Sequence, residues 1–216
     1  MAVVPFRIAL AFICAMLLHG QRKTVLDNEY VRVLDVTTDG STTKGRLHEH
    51  AMNRVMIYLS AGKQKLEYAD GRTTTLEFEP GTAHWSPAGG MHTSQHVTGP
   101  FRVIEVELKK NAGNTKFGPL DPVRVDPKRY KVLHDYPQAR VIRATAEGRA
   151  RIPLHEHVPN RVIVFVSDMH ARATDDSGKA TDIEAKAGEV RWAGAAKHRE
   201  ENLSAKPFDV IVVELK

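Results

Sequence analysis

The segment RLHEHAMNRVMIYL occupies residues 46–59, and PLHEHVPNRVIVFV occupies residues 153–166. Both carry His-Glu-His, then Asn-Arg-Val, then an apolar run. Side chains two apart on a strand share a face, so His48 and His50 project together, as do His155 and His157. Glu49 and Glu156 then project outward or into an interface. The self-match extends well beyond these windows. Gly81 falls on Gly188, Trp85 on Trp192, and Val106-Glu107-Leu108-Lys109 on Val213-Glu214-Leu215-Lys216. A one-residue gap brings His92 onto His198. A period of this length matches a small domain, not a short solenoid repeat.

Each copy reads as all-β. Lys65–Tyr68 and Thr75–Phe78 alternate apolar and polar residues around Asp70-Gly71, a tight-hairpin signal, and Ser177-Gly178 plays that part in the second copy. FRVIEVELK and FDVIVVELK close the two copies with β-branched strands. No helical period follows the N-terminal segment. We therefore expect two tandem antiparallel β-barrels from an internal duplication: residues 21–110, a Pro- and Gly-rich linker over 111–130, and residues 131–216. Tyr58 and Phe165 are expected inside the barrels, and Trp85 and Trp192 in the core or the pocket walls.

Length and composition fit this plan. The chain has 216 residues, 42% of them hydrophobic, enough for packed cores. Its formal charge of +5 is spread among interleaved acids, so a nucleic-acid partner is not expected. Residues 1–20 hold one charge, Arg7, and the apolar run Ile8–Leu18, which fits a signal peptide. Export to the periplasm or medium is the expectation, with no membrane attachment after cleavage. The single cysteine, Cys14, lies in that segment, so the mature chain has no thiol chemistry.

Histidine is the unusual residue, with 11 in the chain. Two imidazoles on one strand face hold a metal when a third arrives from elsewhere. His92 follows the small-residue turn Ser86-Pro87-Ala88-Gly89-Gly90, and His198 follows Ala193-Gly194-Ala195-Ala196. The pattern resembles the cupin superfamily in its two-domain, bicupin form. Gly81, Pro87, Gly89 and His92 fall at the spacing of that family's second motif, with His96 in the place of its Asn. The second copy keeps Gly188, His198 and Asn202, with Gly194 and Ala196 where Pro and Gly are expected. The resemblance implies two jelly-roll barrels (double-stranded β-helices), each with a pocket into which the motif histidines point. It implies metal ligands His48, His50 and His92 in one barrel, and His155, His157 and His198 in the other.

The family's carboxylate ligand position holds Arg54 and Arg161 instead. A guanidinium cannot ligate a metal. Two readings stay open. Either three histidines hold a divalent Fe, Mn, Zn, Ni or Cu while each Arg binds an anionic group, or the metal is lost and the pocket serves a metal-free binding or structural module. In the first reading the resemblance implies an oxygenase-type or related metal-dependent enzyme acting on a small molecule. Arg54, Arg161, Gln95 and Glu201 are the candidate substrate-binding residues. His84 and His96 are read as rim histidines, while His134 and His170 fit no pattern. A homodimer is open, since two barrels in one chain already form a paired unit.

Overall fold

The computed structural model describes residues 20–113 and 115–216, so the expected signal segment through residue 19 lies outside the described residues. Among the described residues, the first half contains nine strands: β1 (Gln21–Asp27), β2 (Val31–Thr37), β3 (His48–His50), β4 (Arg54–Tyr58), β5 (Gly62–Tyr68), β6 (Thr73–Phe78), β7 (Ala83–Ser86), β8 (Gly89–His96) and β9 (Arg102–Leu108). A single helical turn, α1 (Pro122–Val125), follows, with Pro at its start, where a missing N–H costs nothing. Nine further strands repeat the plan: β10 (Tyr130–Asp135), β11 (Ala139–Ala146), β12 (Arg151–His157), β13 (Arg161–Phe165), β14 (Met169–Asp175), β15 (Ala180–Ala185), β16 (Val190–Ala193), β17 (Ala196–Asn202) and β18 (Phe208–Leu215).

Each half forms a five-stranded and a four-stranded antiparallel sheet. The orders are β1-β2-β9-β4-β7 with β3-β8-β5-β6, and β10-β11-β18-β13-β16 with β12-β17-β14-β15. The same order in both halves is the structural form of the duplicated sequence. Asp70-Gly71 and Ser177-Gly178 turn the expected hairpins, with Gly71 and Gly178 both at φ +88°. The α1 turn is a small departure from the all-β expectation. Among the described residues no helix is long and apolar enough to cross a membrane.

The two five-stranded sheets pack against each other. Val55 and Ile57 of β4, Ile104 and Val106 of β9, Val162 and Val164 of β13, and Ile211 and Val213 of β18 belong to one buried cluster shared by both barrels. The alternate residues of these strands face into their own barrels. That double burial explains why β18 reads as a nearly continuous apolar run, while β9 carries Glu105 and Glu107 on its inner side. The contacts between barrels are reciprocal. Tyr30 stacks on Trp192, and Trp85 stacks on Tyr136. His134, without a pattern in the sequence, donates from Nε2 to the Ala83 carbonyl across the interface, 2.7 Å away. Asp35 pairs with Arg102, and Arg143 with Asp209, so the repeat keeps an ion pair at one place with its charges exchanged. Tyr58 and Phe165 are buried as expected. Tyr58 stacks on Phe78 at the floor of the first barrel.

Candidate metal centres

β3 and β8 pair with His48 opposite His92, with a register shift between His48 and His50 on β3. β12 and β17 pair with His155 opposite His198 in unbroken register through His157; the register shift there lies earlier, between Ile152 and His155. In each barrel the three histidines offer ligand atoms within 4.8 Å of one another. Bonds of ~2.1 Å place neighbouring ligand nitrogens roughly 3.0–3.5 Å apart, so binding draws the rings inward by a fraction of an ångström.

The ring orientations suit metal binding. His48 Nδ1 donates to the Arg46 carbonyl at 2.9 Å, His92 Nδ1 to Gly90 at 2.7 Å, and His155 Nδ1 to Pro153 at 2.9 Å. A carbonyl only accepts, so each of these rings keeps its Nε2 lone pair for a ligand bond. His157 Nδ1 donates instead to Glu214 Oε1 at 3.0 Å. Glu214 is buried and bonded to Arg140 at 2.6 Å, and Arg140 is held by Asp121 at 2.7 Å. This carboxylate–histidine arrangement fixes a ligating ring.

Burial also keeps key rings neutral. Desolvation, with Arg54, His48 and His92 nearby, lowers the His50 pKa to about 3. Desolvation lowers His155, and desolvation with Arg161 pushes His157 well below the usual range. A neutral imidazole is the form that binds a metal.

No family model and no curated protein matches the sequence. Solved structures do match. A cupin 2 conserved barrel domain protein from Leptotrichia buccalis is 12% identical with a TM-score of 0.54, covering 92% of this chain and 89% of that one. The oxalate decarboxylase of Lactobacillus farciminis, in a formate complex, is 14% identical with a TM-score of 0.60, covering 91% and 81%. A Bacillus subtilis oxalate decarboxylase with Mn(II) centres is 13% identical with a TM-score of 0.57, covering 90% and 72%. In fold, the chain is a bicupin.

The two barrels of this bicupin are not equivalent. Barrel 1 encloses a cavity of about 550 Å³ lined by charged groups. Arg54 is buried there; it bonds to Glu105 Oε2 at 3.1 Å and to Ser86 Oγ at 2.9 Å, and its Nε has no partner. Arg22 reaches the same Glu105 at 2.7 Å. Glu105 therefore offsets the guanidinium that would otherwise repel a cation. Barrel 2 encloses about 290 Å³, with Ile163, Phe165, Met169 and Val212 in its walls. Tyr130 stands where barrel 1 has Arg22, and Val212 where it has Glu105. Arg161 is buried and donates to the Gly194 carbonyl.

Two candidate binding residues, Gln95 and Glu201, do not line the cavities. Gln95 lies off the cavity and donates to the Thr42 carbonyl at 2.7 Å. Glu201 lies outside as well, beside Arg151 at 3.4 Å. Both sit an odd number of residues from the motif histidine, so the strand pleat turns them outward. The even positions face in. Ser94 and His96 line the barrel 1 cavity, and Glu200 lines that of barrel 2. Counting by two from His92 and His198 finds them. His84 and His96, read as rim residues, line the cavity of barrel 1; His84 Nε2 and His96 Nδ1 are covered and without hydrogen-bond partners. Trp85 and Trp192 both line pockets and pack against the inter-barrel cluster.

Proposed function

We propose that this bicupin binds one divalent metal ion in each barrel, and that barrel 1 also takes a small anionic molecule. The observation that carries the metal reading is the pair of three-histidine clusters, most of whose rings are oriented through Nδ1 so that Nε2 is left to ligate. The Mn(II) centres of the Bacillus subtilis oxalate decarboxylase support it by analogy of fold.

The anionic ligand follows from the residues of barrel 1. Arg54 offers an unpartnered Nε, and Arg22 and Arg72 add positive charge around the same cavity. Carboxylates suit such a donor set. Arg54 would orient the bound carboxylate, and the covered His84 and His96 nitrogens would hydrogen-bond its other polar groups. The metal, when bound, would supply Lewis-acid polarisation or oxygen chemistry of the oxygenase type. The aromatic floor of Tyr58, Phe78 and Phe101 keeps that end of the cavity dry. We also propose that the chain is exported, because residues 1–20 read as a signal peptide.

The test is the metal content of the full chain after growth with Fe, Mn, Zn, Ni and Cu supplied. The reading expects about two ions per chain, and about one after His48→Ala with His50→Ala. Content near zero in the parent would sink it. N-terminal sequencing of the protein recovered outside the cytoplasm checks export.

A further inference from the structure

We propose that Glu200 is a fourth protein ligand in barrel 2, so that the two metal sites of the chain differ in kind. The inference rests on the metal reading above.

His198 and Glu200 lie two residues apart on β17 and share its inward face. The Glu200 side chain is 13% exposed, and its Oε1 lies 3.5 Å from His198 Nε2. That is the spacing of two neighbouring ligands on one metal with bonds of ~2.1 Å. Glu200 lines the same cavity as His157 and His198. Its oxygen is not part of the 4.8 Å cluster of histidine nitrogens, so ligation requires the carboxylate to swing inward about its side-chain torsions. Nothing covalent hinders this, and among the described residues its one ion-pair partner is His198.

Tyr130 marks the place to be filled. Its hydroxyl lies 3.2 Å from His155 Nε2. His155 Nδ1 already donates to Pro153, so Nε2 accepts from the tyrosine. A metal would take that lone pair and release the hydroxyl.

The family's usual carboxylate position is occupied by Arg161, and Glu200 returns a carboxylate to the site from another strand. Barrel 1 cannot do this, because Ser94 stands at the position two residues after His92. Barrel 2 would hold a divalent ion with three imidazoles and one negative charge. Barrel 1 would hold it with three imidazoles alone, leaving more positive charge and more open positions for an anionic ligand. Carboxylate donors also favour harder ions such as Mn(II).

The experiment uses the full chain carrying His48→Ala and His50→Ala, which leaves barrel 2 as the site under study. Mn(II) affinity is measured by calorimetry, and Co(II) loading is followed by visible absorption, which reports the donor set. Glu200→Gln is expected to weaken Mn(II) at least about tenfold and to shift the Co(II) bands. Glu201→Gln, one residue along and outside the cavity, is expected to change neither. Glu200→Asp tests the same site with a shorter carboxylate, and thermal unfolding of each variant checks that it folds. Unchanged Co(II) bands in Glu200→Gln, with Mn(II) affinity within twofold, would overturn the proposal and leave the three-histidine reading standing. No metal uptake by the parent chain in either barrel would overturn both.

Discussion

Replacing Glu214 by Gln is expected to weaken both the fold and the metal site of barrel 2. The carboxylate is fully buried and serves two donors at once: Oε1 accepts from His157 Nδ1 at 3.0 Å, and Oε2 accepts from Arg140 Nε at 2.8 Å. A glutamine has one acceptor oxygen. If it faces His157, its NH₂ faces the Arg140 guanidinium, donor against donor. If it faces Arg140, His157 loses the partner that fixes its ring. Breaking a buried ion pair from one side costs about 3–5 kcal/mol. Arg140 keeps both hydrogen bonds to Asp121, at 2.7 and 2.9 Å, which places the expected loss near the low end, about 3 kcal/mol. The loss of ring orientation is expected to weaken metal binding in barrel 2 by about 10–100-fold. Urea unfolding of the metal-free chain reads the first number. Chelator competition, with barrel 1 disabled by His48→Ala, reads the second. Glu107→Gln is the internal control. Glu107 holds the matching place in barrel 1, but its partner Arg32 has a side chain 42% exposed, so the expected cost falls to about 1 kcal/mol or less. A Glu214→Gln variant within about 0.5 kcal/mol of the parent, with unchanged metal affinity, would refute the reasoning.

Two further predictions concern the interface and pH. Gly188 has φ +83°, and a Cβ there would collide with the Arg102 guanidinium of the other barrel, so Gly188→Ala is expected to lower the melting temperature and to be partly rescued by Arg102→Ala. Acid should destabilise the metal-free protein through its buried neutral histidines. His157, His155 and His50 have pKa values lowered below 6.5, so below that pH the unfolded chain binds protons that the folded chain refuses. Their contribution is complete above pH 6.5 and is lost as pH falls from there toward 3, the value to which His50 is lowered. Urea midpoints at a series of pH values check this, and His157→Gln should flatten the slope; an equal slope in parent and variant would count against it.

Much of the fold was legible because the duplicated segments carry their own evidence. LHEH, NRV and VELK recur at one offset, and the hairpin glycines fall between alternating strands. The histidine triads were legible for the same reason, since the strand pleat alone aims His48 with His50 and His155 with His157. The same pleat turns Gln95 and Glu201 outward and Ser94 and Glu200 inward. Other features depend on strands distant in sequence. Arg54 is tolerated beside a metal site because β9 pairs with β4 and supplies Glu105. Tyr130 reaches His155 only after β10 closes its sheet. His134 finds the Ala83 carbonyl only once the barrels dock. No local pattern encodes these pairings.

The most direct test of the central claim is anomalous diffraction from crystals of the full chain loaded with Zn(II). Two anomalous peaks are predicted, one in each barrel. One should lie about 2.0–2.1 Å from the Nε2 atoms of His48, His50 and His92, the other at the same distance from those of His155, His157 and His198. Crystals loaded in excess Zn(II) with no peak at either triad would contradict the account.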